Sequence, residues 1–444
     1  MRYETIKTMI LAVFVAASIF LTWMIWNFQP HYDTIDRRDI HQVSIAEERD
    51  TGSLIKPGKI MVNQVNRHYG TTDESEINDI LKEMKGWSFY GSQGIKTLSV
   101  KDINSLEIGN NHVDIVFPEN VPVKVYKDVV QFNDKSLPDT SFNRIVIDFT
   151  DGGHRDNNLY FLSTTSQKAY VCSVNYQYIS SLMKDINKTL YDSYKLYDVY
   201  NLSKGKTILL PKDQTNMNTY RYITDEVPPE KFERALFPDP NFVKKGEVGD
   251  SQEYTNGTSM MRTNDSSKML YYINPSEDSN YQTNADDLLK RSLEFMNHPG
   301  MWTDTYHYFQ MNLKKHQVIF RMYLHGTPVF ENSKMAEIML QWGENEIYQY
   351  NRPFYRLAIL VPQKVSESML PGGAEVIQEI SKISGISLDR VDDLQIGYQL
   401  INDTDYDSKQ NNVLIFEPEW YYLYNGDWIP VSQDQLGGKQ GGLE

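Results

Sequence analysis

The sequence predicts an α+β fold: a single N-terminal transmembrane helix followed by a multi-domain extracellular body of antiparallel sheets packed with single helices. Three observations carry this. Residues 9–28 (MILAVFVAASIFLTWMIWNF) hold no charge. Short strand patterns recur through the remaining 416 residues. Single amphipathic helices interrupt those strand runs instead of alternating with each strand, which favours α+β over a parallel α/β sheet.

The apolar stretch comes first. As a helix at about 1.5 Å per residue it spans roughly 30 Å, the thickness of a bilayer's hydrocarbon core. It lacks the polar face a soluble core helix would need. A cleaved signal peptide would be shorter and end in small residues. Here Ala16, Ala17 and Ser18 sit in mid-stretch and bulky residues follow. A lipoprotein anchor would need a cysteine at the end of the run, and the only cysteine is Cys172. Arg2 and Lys7 precede the span, which favours a cytoplasmic N-terminus and an external body at the cell membrane. Trp23 and Trp26 lie at the far end, where amphipathic rings anchor at the headgroup level. Thr8, Ala12 and Ala16 recur every fourth residue. They form a candidate helix–helix interface, because small residues let two helices approach closely.

Residues 29–55 read as a polar stalk. A strand at 59–62 follows Pro57-Gly58, and a helix over 72–85 places Ile77, Ile80, Leu81 and Met84 on one face. Strands are expected near 95–100, 113–117 and 122–132. A hairpin follows over 144–150 and 158–164 around Asp151-Gly152-Gly153, then a strand at 168–174. The helix over 175–190 aligns Ile179, Leu182, Met183, Ile186 and Leu190. A strand at 219–226 leads to a short helix opened by Pro228-Pro229. Strands at 251–262 and 268–273 precede a helix over 285–296, capped by Asn284 and stopped by Pro299-Gly300. Strands at 305–313, 316–324, 336–342 and 345–350, a helix at 372–384, and strands at 393–402, 412–416, 419–424 and 428–431 complete the body. The expected division is 1–28 (tail and anchor), 29–210, 211–300 and 301–434 (three extracellular domains) and 435–444 (a Gly-rich disordered tail).

Net charge is −15, and all but the first 28 residues carry −16. Such a surface repels nucleic acid and anionic lipid headgroups. One cysteine excludes an intrachain disulfide. The common catalytic signatures G-x-S-x-G, H-E-x-x-H and G-x-x-x-x-G-K-[ST] are missing. Cys172 sits in an apolar strand pattern and reads as a buried thiol. Residues 403–408 (DTDYDS) begin like a calcium loop, but Ser408 and Leu414 stand where Gly and Glu are needed. His307, His316 and His325 recur every nine residues, a spacing that neither helix nor strand places on one face. No catalytic residue, cofactor or metal site is therefore assigned. Two alternatives stay open: a wall-active enzyme of the glycoside hydrolase type, and a ligand-binding sensor subunit.

Taken in order, several segments resemble the YycH family of low-GC Gram-positive bacteria. They are the single N-terminal anchor, IKPGKIMVN (55–63), VDIVFPENVPVKVY (113–126), RIVIDFTDGG (144–153), YLHGTPVF (323–330), NRPFYRL (351–357), DLQIGYQLIND (393–403) and EPEWYYLYNGDW (417–428). These are structural blocks spread almost end to end, so their order carries the resemblance. It implies a non-enzymatic regulator of the WalK/WalR (YycG/YycF) two-component system. Such a regulator contacts the sensor histidine kinase WalK, acts with a YycI-like accessory partner, and influences cell-wall metabolism. A tail of about eight residues cannot signal alone, which agrees with this implication. Action would be allosteric, through unequal affinity for two kinase states.

Overall fold

The computed structural model describes residues 7, 11, 13–18, 20–21, 45–149, 156–202, 206–277, 281–331, 333–362, 365–402 and 413–431. The chain divides into two compact units, residues 1–42 and 43–444.

In the first unit every described residue is helical and exposed. Its side chains include Leu11, Val13, Phe14, Val15, Phe20 and Leu21, each more than half exposed. Among the described residues no helix is long and apolar enough to cross a membrane. Eleven of the twenty residues of the expected span lie outside the described set.

The second unit is mixed α/β, built on two large sheets. The nine-stranded sheet runs in the order Thr207–Pro211, Lys195–Asn201, Arg67–Thr71, Lys59–Gln64, His112–Pro122, Ser141–Asp148, Asp156–Ser163, Lys168–Asn175, Ile95–Thr97. All its pairs are antiparallel. Strand alternation explains how it packs. Ile60, Val62, Val113, Ile115, Ile145 and Ile147 share one buried face with the helices Glu74–Lys85 and Tyr176–Ser193. Each fully buried aliphatic side chain there contributes about 1.5–3 kcal/mol. The first helix is capped by Asp73, whose carboxylate accepts from the Ser75 and Glu76 amides. On the opposite face Val146, Leu162, Ala169 and Val171 pack with Ile103 of the helix Val100–Ile108.

Two expectations fail here. Residues 100–108 are helical, where the sequence pattern predicts only a strand near 95–100. The Ser99–Asp102 capping box starts this helix by satisfying donors at its first turn. Residues 122–132 are not one strand. Pro122 opens a helical turn, Val123–Tyr126, which buries Val123, Val125 and Tyr126 together. The Asp151-Gly152-Gly153 turn lies outside the described residues, but its flanking strands pair, with Arg144 opposite Leu162.

The second sheet runs Lys244–Val248, Ser251–Thr255, Met260–Asn264, Met269–Ile273, Ile347–Pro353, Glu337–Trp342, Gln317–Leu324, Thr327–Phe330, Val391–Asn402, Val413–Tyr424, Thr215–Glu226, Tyr355–Leu360. The strands Tyr306–Asn312, Ser366–Leu370 and Asp427–Pro430 pair alongside this path. One pair in it is parallel, Thr327–Phe330 with Val391–Asn402. The helix Ala285–Asn297 lays Leu288, Leu289, Leu293 and Met296 on this sheet, and the Asn284 side chain accepts from the Asp287 amide as expected. The helix Gly373–Lys382 packs Val376 and Ile380 against Ile208 and Leu210, the outermost strand of the first sheet. Contact at Gly373 is so close that a Cβ would stand 2.4 Å from that of Leu210.

Candidate functional site

Of the residues the sequence nominates for helix–helix contact, Ala16 is described: it is helical and exposed. Thr8, Ala12, Trp23 and Trp26 lie outside the described residues, as do residues 403–408 and 435–444.

Cys172, His307 and His316 are taken up by packing, whereas His325 is exposed at a turn. Cys172 is fully buried opposite Leu159 in the core of the first sheet, and burial pushes its thiol up to about 12. A thiol held so far above neutral pH is not a nucleophile. The three histidines meet three different tyrosines. His307 lies 4.4 Å from the Tyr323 ring, His316 4.2 Å from Tyr281, and His325 4.7 Å from Tyr220. His316 and His325 also take positive φ at turns, where a short polar side chain tolerates the left-handed conformation. Among the described residues no group of three His, Cys, Asp or Glu could hold a metal ion.

Ionisable side chains do gather in two buried places. Under the helix Val100–Ile108, Arg144 of the first sheet meets Glu107 (Nε–Oε1 3.0 Å) and Asp114, which is wholly buried. Burial acts against the guanidinium charge, but the two carboxylates outweigh it and hold Arg144 above its ordinary range. Glu107 and Asp114 are raised by burial, which Arg144 and, more weakly, Lys59 only partly offset. In the second sheet Arg321 lies between the rings of Phe309 and Phe330, at 4.3 and 4.5 Å, and pairs with Glu337. Sequence reasoning missed both sets. The available signal was a charge inside an apolar alternation, as in V-D-I-V at 113–116 and R-I-V-I at 144–147.

Two carboxyls have the raised pKa values that acid catalysis uses. Glu419 is pushed up to about 8, by burial and then by Glu417, with the Trp420 amide opposing. Asp304 is pushed up to about 6 by burial, against the Leu357 amide, the Thr303 hydroxyl, Arg352 and Arg49. Neither lines either of two surface grooves. One, of about 520 Å³, is lined by Arg262, Asn264, Tyr271, Gln349 and Asn351 among others. The other, of about 760 Å³, is lined by Gln64, Asn111, Tyr176, Met183, Lys184 and Asn187 among others. These groove residues are mainly amides, hydroxyls and apolar groups. They offer hydrogen bonding and contact, without the paired carboxylates that glycoside hydrolysis uses.

Comparison with known proteins accounts for the whole body. The sequence model of the YycH protein N-terminal domain matches residues 4–190, and that of the C-terminal domain matches residues 205–437. The chain is 26% identical over 457 aligned positions to the "Two-component system WalR/WalK regulatory protein YycH" of Bacillus subtilis (strain 168), covering 98% of each chain. The crystal structure of YycH from Bacillus subtilis superposes with a TM-score of 0.74 at 22% identity, covering 89% of this chain and all of the other.

Proposed function

This chain belongs to the YycH family, and from that premise we propose that it is a non-enzymatic, membrane-anchored regulator of a WalK-type sensor histidine kinase that controls cell-wall metabolism. The observation that carries the reading is the end-to-end similarity to a WalR/WalK regulatory protein. Two features support it. The N-terminal helix presents Leu11, Val13, Phe14, Val15, Phe20 and Leu21 outward, a surface suited to lipid or another apolar helix. Among the described residues the body buries its thiol, His307 and His316 and its two charged clusters, which favours a role through surface contact.

In this reading residues 9–28 cross the membrane once, with the N-terminus cytoplasmic. The body works outside with a YycI-like partner. Binding that favours one kinase state shifts the population by the difference in affinity for the two. A change from 1:99 to 99:1 requires about 5.5 kcal/mol. Thr8, Ala12 and Ala16 form the helix face that meets the kinase or the partner in the bilayer.

The test is co-purification of the kinase from membranes by the full-length protein and by a chain lacking residues 1–28. Ala12→Leu combined with Ala16→Leu is the finer probe. The truncated chain and the double variant should each recover less kinase while the body keeps its unfolding midpoint. Equal recovery by all three would remove the helix-packing part of the proposal.

A further inference from the structure

The strands Ser251–Thr255, Met260–Asn264, Met269–Ile273 and Ile347–Pro353 lie side by side in the second sheet. Alternation gives them two unlike faces. Tyr254, Met261, Tyr272 and Tyr350 stand directly opposite one another on successive strands, and all are buried in the core. One position along, the other face carries Glu253, Arg262, Tyr271 and Asn351 in a second unbroken row. Asn264 and Ser251 pair on one side of that row, and Ile273 and Gln349 on the other. Apart from Glu253, all of these outer residues line the groove of about 520 Å³. Three strand spacings carry the row across roughly 14 Å, room for a short oligomer.

The polar groups in the groove are held in place and keep bonding capacity. Glu253 fixes Arg262, Oε2 to Nη2 at 2.7 Å. That pair offsets the one charge among the lining residues, and the guanidinium has further donors beyond this bond. Gln349 Nε2 donates to Asn351 Oδ1 at 3.4 Å, which leaves Gln349 Oε1 as an acceptor and Asn351 Nδ2 as a donor. Asn264 Oδ1 accepts from the Ser267 amide at 2.8 Å. Tyr271, in mid-strand, is 42% exposed and offers a flat apolar ring with a polar tip.

This set selects a ligand by charge and by bonding. A free anion would meet a cation already paired, on a chain of net charge −15. A cation would find no carboxylate among the lining residues. A wholly apolar ligand would strand the carboxamides away from water. A pyranose ring fits all three demands. It is neutral, its hydroxyls both donate and accept, and its C–H face is apolar. We propose that this groove binds a neutral glycan, with Tyr271 as the stacking platform and Arg262, Gln349 and Asn351 bonding to hydroxyl or acetamido groups. The proposal goes beyond kinase regulation and does not rest on it, so either can fail without the other.

Calorimetric titration of the full-length protein, in a detergent without a sugar headgroup, tests it. The probes are a tetrasaccharide of N-acetylglucosamine and one of glucose. Saturable binding of at least one is expected at about 1 mM or below, and the preferred sugar tells whether acetamido or hydroxyl groups are read. Tyr271→Thr keeps a strand-forming residue but loses the ring, and should weaken binding about tenfold. Tyr271→Phe should stay within about threefold of wild type, because the ring remains. Asn351→Ala should cost about fivefold, the worth of one hydrogen bond. The unfolding midpoint of each variant separates a lost site from a lost fold. Raising salt from about 0.05 to 0.5 M should leave the affinity unchanged, since screening acts on charge. Failure of both sugars to saturate the wild type would overturn the proposal. So would folded variants at both positions that bind as wild type does, or binding that collapses with salt. Self-association that Tyr271→Thr abolishes would assign the face to a second copy of the chain and overturn it as well.

Discussion

Arg144 and Arg352 are both buried guanidinium groups, one in each large sheet, and they are held in opposite ways. Arg144 is neutralised by two carboxylates, Glu107 and Asp114. Arg352, fully buried, is satisfied by neutral oxygens: the carbonyls of Met301 and Pro353, the Tyr350 hydroxyl at 3.2 Å and Thr303 Oγ1, with the Phe232 ring 4.8 Å away. The first sheet locks a helix to a strand with charge. The second stitches a turn to a strand with donors. What each site leaves behind when its arginine is removed therefore differs: two buried anions in one case, several unpaired acceptors in the other.

Substitution should expose that contrast. Arg144→Met deprives Glu107 and Asp114 of the cation in direct contact with them, leaving only the weaker field of Lys59, and should lower the stability of the body by about 3–5 kcal/mol in urea unfolding near neutral pH. Adding Glu107→Gln and Asp114→Leu should recover most of the loss. A cost below about 1 kcal/mol would show that the cluster is not the lock its geometry describes. Arg352→Met should cost less, about 2–3 kcal/mol, because the hydrogen-bond acceptors it abandons are neutral and the one carboxyl it acts on, Asp304, keeps its bond from the Leu357 amide. Its effect should concentrate in faster exchange around residues 301–304. If it costs more than Arg144→Met, the contrast fails.

The smallest effect concerns Glu419. Its carboxyl binds a proton more tightly in the folded chain (about 8) than unfolded (4.5). The folded state therefore holds more protons across that interval, so stability falls as pH rises from about 5 to 8. Glu419→Gln should remove that slope, with little effect at pH 5 and a gain of about 1–2 kcal/mol at pH 8, partial hydration reducing the full shift. Parallel stability–pH curves for the two proteins would refute the assignment.

The longer helices were legible because their patterns are local, whereas the short Val100–Ile108 was not. Ile77, Ile80, Leu81 and Met84 mark the helix Glu74–Lys85, and the Asn284 cap marks the start of Ala285–Asn297. The span read as one strand over 251–262 is two, Ser251–Thr255 and Met260–Asn264. Asn256-Gly257 turns the chain between them, with Gly257 at φ +93°. The sequence pattern places separate strands at 412–416 and 419–424, yet Val413–Tyr424 is continuous. On its one side the strand Thr215–Glu226 ends its pairing at Phe416, and Asp427–Pro430 begins at Tyr421. The missing amide of Pro418 thus falls in a gap between neighbours. Such register is a property of distant strands, and no local pattern encodes it. The bond from the Arg49 amide to Asn297 Oδ1, at 3.2 Å, was illegible for the same reason: the two residues are 248 positions apart.

The only cysteine in 444 residues is sealed inside the first sheet, with its thiol raised to about 12. An unmodified chain is consequently silent to thiol-directed reagents in its folded state. Any single cysteine placed on the outside becomes an address that a fluorophore or spin label can find without background. Changes around such a label, on either sheet, can thus be followed with the native thiol left in place.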